Sequence, residues 1–119
     1  QLSKKVANIR SEGITLGNLA IVYKKTGRME LAEQSYDQAL QALRKVGDRL
    51  IEGIVLCEQA SLFIVLERIT EARESWRWGI AILKELKELP TIRELSKDMQ
   101  EACTKANVAP FEVPEISDT

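Results

Sequence analysis

The chain predicts an all-α fold, a stack of antiparallel helix hairpins closed by one C-terminal helix. Two observations carry that expectation. The sequence matches itself at a spacing of 40 residues, and within each copy the apolar residues step by three and four, the period of a helix rather than the alternation of a strand. At 119 residues, 45% hydrophobic and 29% charged, the chain has the size and composition of one ordinary globular domain.

The repeat keeps one register throughout. Lys5 and Val6 lie over Lys45 and Val46, and Glu12, Gly13, Ile14 and Leu16 over Glu52, Gly53, Ile54 and Leu56. Ala20 then meets Ala60, Tyr23 meets Phe63, Arg28 meets Arg68, Ala32 meets Ala72, Ser35 meets Ser75, Tyr36 meets Trp76 and Leu43 meets Leu83. Residues 11–46 form one hairpin and 48–86 a second. The first helix, about Ser11 to Lys25, carries Leu16, Leu19, Ala20 and Tyr23 on one face, and Gly27 stops it. The next, about Met29 to Val46, aligns Leu31, Ala32, Ser35, Tyr36, Ala39, Leu40 and Leu43, with Glu30 and Glu33 early and Arg44 and Lys45 late, as the helix dipole prefers.

Gly47 ends that helix and Asp48 caps the third, about Arg49 to Leu66, whose inner stripe is Leu56, Ala60 and Phe63. Glu67 stands where the first copy has Gly27, so a non-glycine residue must take a positive φ at a cost of roughly 1 kcal/mol. The fourth helix, about Thr70 to Leu86, buries Ala72, Trp76, Ile80 and Leu83, and Gly79 in place of Ala39 keeps a close helix crossing. Leu2 to Ile9 align with the tail of the second helix, Ala42 to Arg49, and residues 1–10 read as the end of a preceding helix, so the chain is expected to begin inside an earlier hairpin. Pro90 opens a capping helix over 90–106, with Ile92, Leu95, Met99, Ala102, Cys103 and Ala106 inward and Arg93, Glu94, Lys97, Asp98 and Glu101 towards water. Residues 107–119, punctuated by Asn107, Pro110 and Pro114, read as an extended or disordered tail, either free or lying in an apolar groove through Phe111 and Val113.

The run Asn18, Leu19, Ala20, Tyr23, Gly27, Ala32, Tyr36 and Ala39 resembles the small-and-large signature of the tetratricopeptide repeat (TPR), a family whose usual period is about 34 residues. The longer period is similar to a variant in which a Gly-Asp-x-x-x-Glu-Gly stretch, here Gly47 to Gly53, opens the repeat. Gln59 and Glu67 depart from the pattern by standing where Leu and Gly are usual. The resemblance implies a right-handed superhelix of antiparallel hairpins, a TPR-like solenoid with a C-terminal capping helix. It also implies a non-catalytic scaffold that binds a peptide or partner protein along its concave face. In that family the first helix of each hairpin lines this face, which carries the site onto Ile14, Gly17, Asn18, Ile21 and Lys25 and onto Ile54, Cys57, Glu58, Ser61 and Val65. Asn18 matches one donor of the versions that hold a C-terminal carboxylate, but the next hairpin offers Ile54 and Glu58 where donors are needed, which argues against a carboxylate clamp. Trp78, two residues from the core position Trp76, is either covered by the capping helix or an exposed anchor.

Other function classes find little support. The chain has no His, and its two cysteines have no CxxC spacing, so no metal site is expected and no base stands ready for a Ser or Cys nucleophile. No phosphate loop exists and no cofactor is expected. Glu30, Glu33 and Asp37 read as a solvated helix face rather than a catalytic carboxylate pair. Cys57 and Cys103 read as buried thiols, which places the chain in a reducing cytoplasm. No apolar stretch approaches the ~20 residues of a membrane span. Lys4, Lys5, Arg10, Lys24, Lys25 and Arg28 make the first 28 residues basic, yet the net charge is −1 and no aromatic residues interleave with them, so nucleic acid is the weakest partner reading. A regulatory or self-assembly segment of a larger multidomain enzyme, with self-association, stays open as the alternative.

Overall fold

A computed structural model of the chain describes residues 3–114. Among these residues there are five α-helices and no strand: α1 (Lys4–Lys25), α2 (Met29–Val46), α3 (Arg49–Val65), α4 (Ile69–Glu85) and α5 (Leu89–Ala106). α1 packs chiefly on α2 and α3 on α4, and the two hairpins join through α2 and α3. No helix is long and apolar enough to cross a membrane.

Every helix ends by the same device. The residue past the end turns left-handed, and the following N–H reaches back to a carbonyl five residues earlier: Arg28 to Tyr23, Asp48 to Leu43, Arg68 to Phe63, Glu88 to Leu83 and Val108 to Cys103, at 2.8 to 2.9 Å. Gly27 and Gly47 adopt this conformation freely, with φ of 80° and 72°. Glu67, as expected, takes a φ of 62°, and Lys87 and Asn107 follow at 59°. Starts are more varied. Asp48 accepts from the Ile51 N–H at 3.1 Å and Ser3 from Val6, whereas Arg28 and Arg68 open α2 and α4 without capping them.

The core has two parts that meet in α3. Ala20, Ala32, Tyr36, Ala39, Leu40 and Leu43 pack with Val55, Leu56, Leu62 and Ile82, while Cys57, Ala60, Phe63 and Ile64 pack with Ala72, Trp76, Ile80, Leu83 and the α5 residues Ile92, Met99 and Cys103. From Val55 to Ile64 only Glu58 escapes burial. The α3–α4 crossing is tight: a Cβ on Gly79 would lie 2.6 Å from Cys57 Sγ and 2.8 Å from the Gly53 carbonyl oxygen. In the first hairpin the same two positions are Gly17 and Ala39, so the extra volume sits on the opposite helix.

Several expectations change. The break at Ser11 is absent, and residues 4–10, read as the end of a preceding helix, are the first turns of α1. Nothing in that stretch stops a helix, and Ser3 caps it; residues 1 and 2 lie outside the described residues. Leu19 and Leu31, assigned to inner stripes, are exposed, because the face α1 buries is the narrow strip Gly13, Gly17 and Ala20, with Leu16 half-buried beside it. The tail over 107–114 is extended and docked, not free. Phe111 is buried between α4 and α5, its N–H pointing at Met99 Sδ, and Trp76 Nε1–H donates to the Glu112 carbonyl at 2.8 Å. The rest of the tail, 115–119, lies outside the described residues.

Two stability measurements follow. Glu67→Gly removes the left-handed strain of a side chain and raises stability by up to about 1 kcal/mol, read from the urea midpoint. Gly79→Ala lowers it by about 1–3 kcal/mol through overpacking, and Cys57→Ala on that background restores only part, because the Gly53 carbonyl still blocks the added methyl.

Candidate partner-binding face

The residues expected to line a binding face do not all reach the surface. On α1, Asn18 and Lys25 are exposed and Ile14 and Ile21 half-buried, Ile21 packing on the first core. On α3, Val65 is 47% exposed, Ile54 and Glu58 are half-buried, and Cys57 and Ser61 are buried. Cys57 is therefore withdrawn from the site, since its sulfur fills the crossing beneath Gly79. Ser61 is also covered. α5 adds to the enclosure of α3: it rests on α3 more than on α4, unlike α3, which rests on α2 far more than on α1. The seam this lean leaves against α4 is the one the tail occupies.

What remains is a face built from α1, α3 and α5 with Glu58 at its centre. Burial pushes the Glu58 carboxyl up to about 7, Lys24 on α1 pulling it back and Asp98 on α5 adding to the rise. The Lys24 ammonium is held below the usual lysine range by burial, partly countered by Asp98 and Glu58, with Lys105 and Lys25 adding to the depression. Glu58 forms no salt bridge among the described residues, so its charge is answered only at a distance. Sequence reasoning found Glu58 but left Lys24, Asp98 and Lys105 outside the site. Asp98 is exposed, as the sequence reading had it, and still acts on Glu58 and Lys24 through its charge.

The thiols offer no nucleophile. Burial raises Cys57 and Cys103 above the ordinary thiol range, and nearby Glu58 raises Cys57 further, so both stay protonated near neutral pH. The basic residues of α1 do not form a common patch, since Arg10 bonds Asp48 Oδ2 at 2.6 Å and Lys24 is drawn inwards. Trp78 is 64% exposed, which removes the reading in which the capping helix covers it; it stands on α4, off the α1, α3 and α5 face.

A second set of polar side chains does more than face solvent. Asp37 is exposed and Glu33 part-exposed, and both also bind the next hairpin. Arg68 donates from its two terminal nitrogens to Glu33 at 2.7 and 2.9 Å and also to Glu71, and Gln59 Nε2 donates to Asp37 at 3.0 Å. Gln59, the departure from the usual Leu, is buried because Asp37 and the Ser75 hydroxyl satisfy its amide. The Arg28–Arg68 match was the available signal, had its partner been sought one helix back.

Glu58 carries a pH dependence whose sign can be checked. Its folded pKa of about 7 lies above the ordinary carboxylate value, so the native state holds the proton more tightly than the unfolded chain. The destabilisation is absent below about pH 4, grows as pH rises through the interval and is complete above 7. Thermal melts at pH 6 and pH 8 are expected to show Glu58→Gln gaining more stability at pH 8 than at pH 6. An equal gain at both would remove Glu58 as a buried titrating group.

Residues 11–85 match the family model described as tetratricopeptide repeat. No curated protein and no solved structure matches the chain at a significant level.

Proposed function

The chain belongs to the tetratricopeptide-repeat family, whose repeats generally mediate protein–protein interaction, and from that premise we propose that it binds a peptide or partner-protein segment along the face of α1, α3 and α5. The observation that supports this most is Glu58. A carboxylate kept half-buried, without an ion pair, on a helix otherwise enclosed from Val55 to Ile64 is a local loss of stability, and such sites are more common where a ligand completes the pairing. Around it, exposed Val65 offers apolar contact, and Asn18 and Lys25 offer donors. The partner segment that suits this face presents an apolar side chain to Val65 and a donor to Glu58.

Val65 is exposed enough to be charged without touching the core, unlike Ile21. Peptides selected from a random library against the wild-type chain are expected to bind Val65→Asp at least about tenfold more weakly while its melting curve is unchanged. If the selected peptides bind Val65→Asp and Asn18→Asp as well as the wild type, this face is not the site.

A further inference from the structure

The register that ends α1 and α3 also ends α5: Gly27, Glu67 and Asn107, forty residues apart, are the left-handed residues of the three turns. α5 therefore stands in the same place in a third copy, and its side towards a second helix can be compared with theirs. In α1 and α3 four positions on that side hold Gly13 and Gly53, Leu16 and Leu56, Gly17 and Cys57, and Ala20 and Ala60, and all but Leu16 are buried. In α5 the same positions are Arg93, Ser96, Lys97 and Gln100. Long polar side chains at three of the four leave no room for the close helix crossing of the earlier copies. The docked tail passes there instead. Between its Val113 and the first turns of α5 lies a cleft of about 440 Å³, a size usual for small-molecule sites.

Ser96 stands in the wall of this cleft. It is 7% exposed, and its hydroxyl is buried without a hydrogen-bond partner among the described residues. Thr26 and Thr104 turn their hydroxyls to the carbonyl four residues back, at 3.0 and 2.9 Å, which Ser96 does not. The leucine of the other two copies would leave no donor unmet and would bury more apolar area, so the serine is a loss of stability at this position. Lys97 makes no ion pair among the described residues, although Glu94 lies three residues back on the same helix.

We propose that the cleft binds a small organic carboxylate, its charged end held by Lys97, the Gln100 amide and the Ser96 hydroxyl, its hydrocarbon body against Ile92 and Val113. The single charge follows from the lining, where Arg93 and Lys97 against Glu94 leave one net positive charge. A phosphate ester would bring a second negative charge with no cation to meet it. The donors suit the same ligand, since a carboxylate accepts from an ammonium, an amide and a hydroxyl together. Rotation about one side-chain bond turns the Ser96 hydroxyl without moving the backbone. The cleft shares no side chain with the α1, α3 and α5 face, so either reading can fail alone.

The probe is 2-naphthoate, titrated into the whole chain with amide shifts followed by NMR, and its uncharged amide, 2-naphthamide, is the control. Saturation below about 1 mM is expected, with shifts centred on residues 93–100 and Val113, and the amide is expected to bind about tenfold more weakly or worse. Lys97→Glu changes an exposed side chain and is expected to weaken naphthoate binding about tenfold or more, with the melting curve unchanged. Ser96→Ala separates binding from packing: it is expected to weaken binding about threefold or more while the melting temperature rises, because an unmet hydroxyl is removed. The proposal is overturned by an absence of saturation, by equal affinity for acid and amide, by shifts centred elsewhere, or by Ser96→Ala binding as well as the wild type. Binding that appears only after Glu115→Gln and Asp118→Asn would also overturn it, since the chain's own acidic end would then be the occupant.

Discussion

The structure depends on α3 having almost no solvent face. A lone helical hairpin buries one stripe of each helix and leaves the rest wet, and so is marginal by itself. Here α2 covers one side of α3, α4 a second and α5 a third, and the two parts of the core are continuous through it. The close α3–α4 crossing at Gly79 makes that enclosure possible, because a methyl group there would force the helices apart along their whole contact. The same enclosure defines the candidate site. A carboxylate on α3 cannot be fully hydrated, so Glu58 is perturbed chiefly by its burial, with Lys24 and Asp98 as smaller influences of opposite sign.

Between hairpins the apolar contact is supplemented by polar recognition of a kind that fixes register. Leu62 and Leu40 would tolerate sliding, whereas the Arg68 fork on Glu33 and the Gln59 amide on Asp37 are satisfied in one alignment. These bonds lie near the surface, where an ion pair adds little stability. Their effect is therefore on which helix may sit there. The replacement of Glu33 and Asp37 by Arg73 and Arg77 in the second copy has the same logic in reverse, since a helix selected by acids on α2 meets bases on α4.

Much of this was legible in the sequence, and what was not has a physical explanation. The extents of α2 to α5, the turns at Gly27 and Gly47, the strained φ at Glu67, and the inward residues of α4 and α5 all follow from local rules, because each depends on neighbours within one turn of chain. Leu19 and Leu31 were misplaced because a periodic stripe shows only that residues share a side, not how wide the covering helix is. Cys57 and Ser61 were placed on the binding face by repeat analogy, and α5's lean over α3 departs from that analogy. No pattern in residues 89–106 encodes the lean, and Phe111 and Trp76 fill the seam behind it. The partners of Glu33 and Asp37 were missed for a related reason: an acid on a helix looks only solvated until a residue far along the chain is brought against it.

The two ends of the described stack are consequently different in kind. At α4 and α5 the seam is filled by Phe111, with the Trp76 indole satisfied by a backbone carbonyl of the tail, so an apolar edge is converted into a closed and hydrogen-bonded one. At α1 the edge keeps exposed Leu19 and Val22 and an arginine whose repeat partner is engaged. Apolar side chains beside an exposed guanidinium are the composition of a contact surface, since area supplies affinity and the charge selects what may use it.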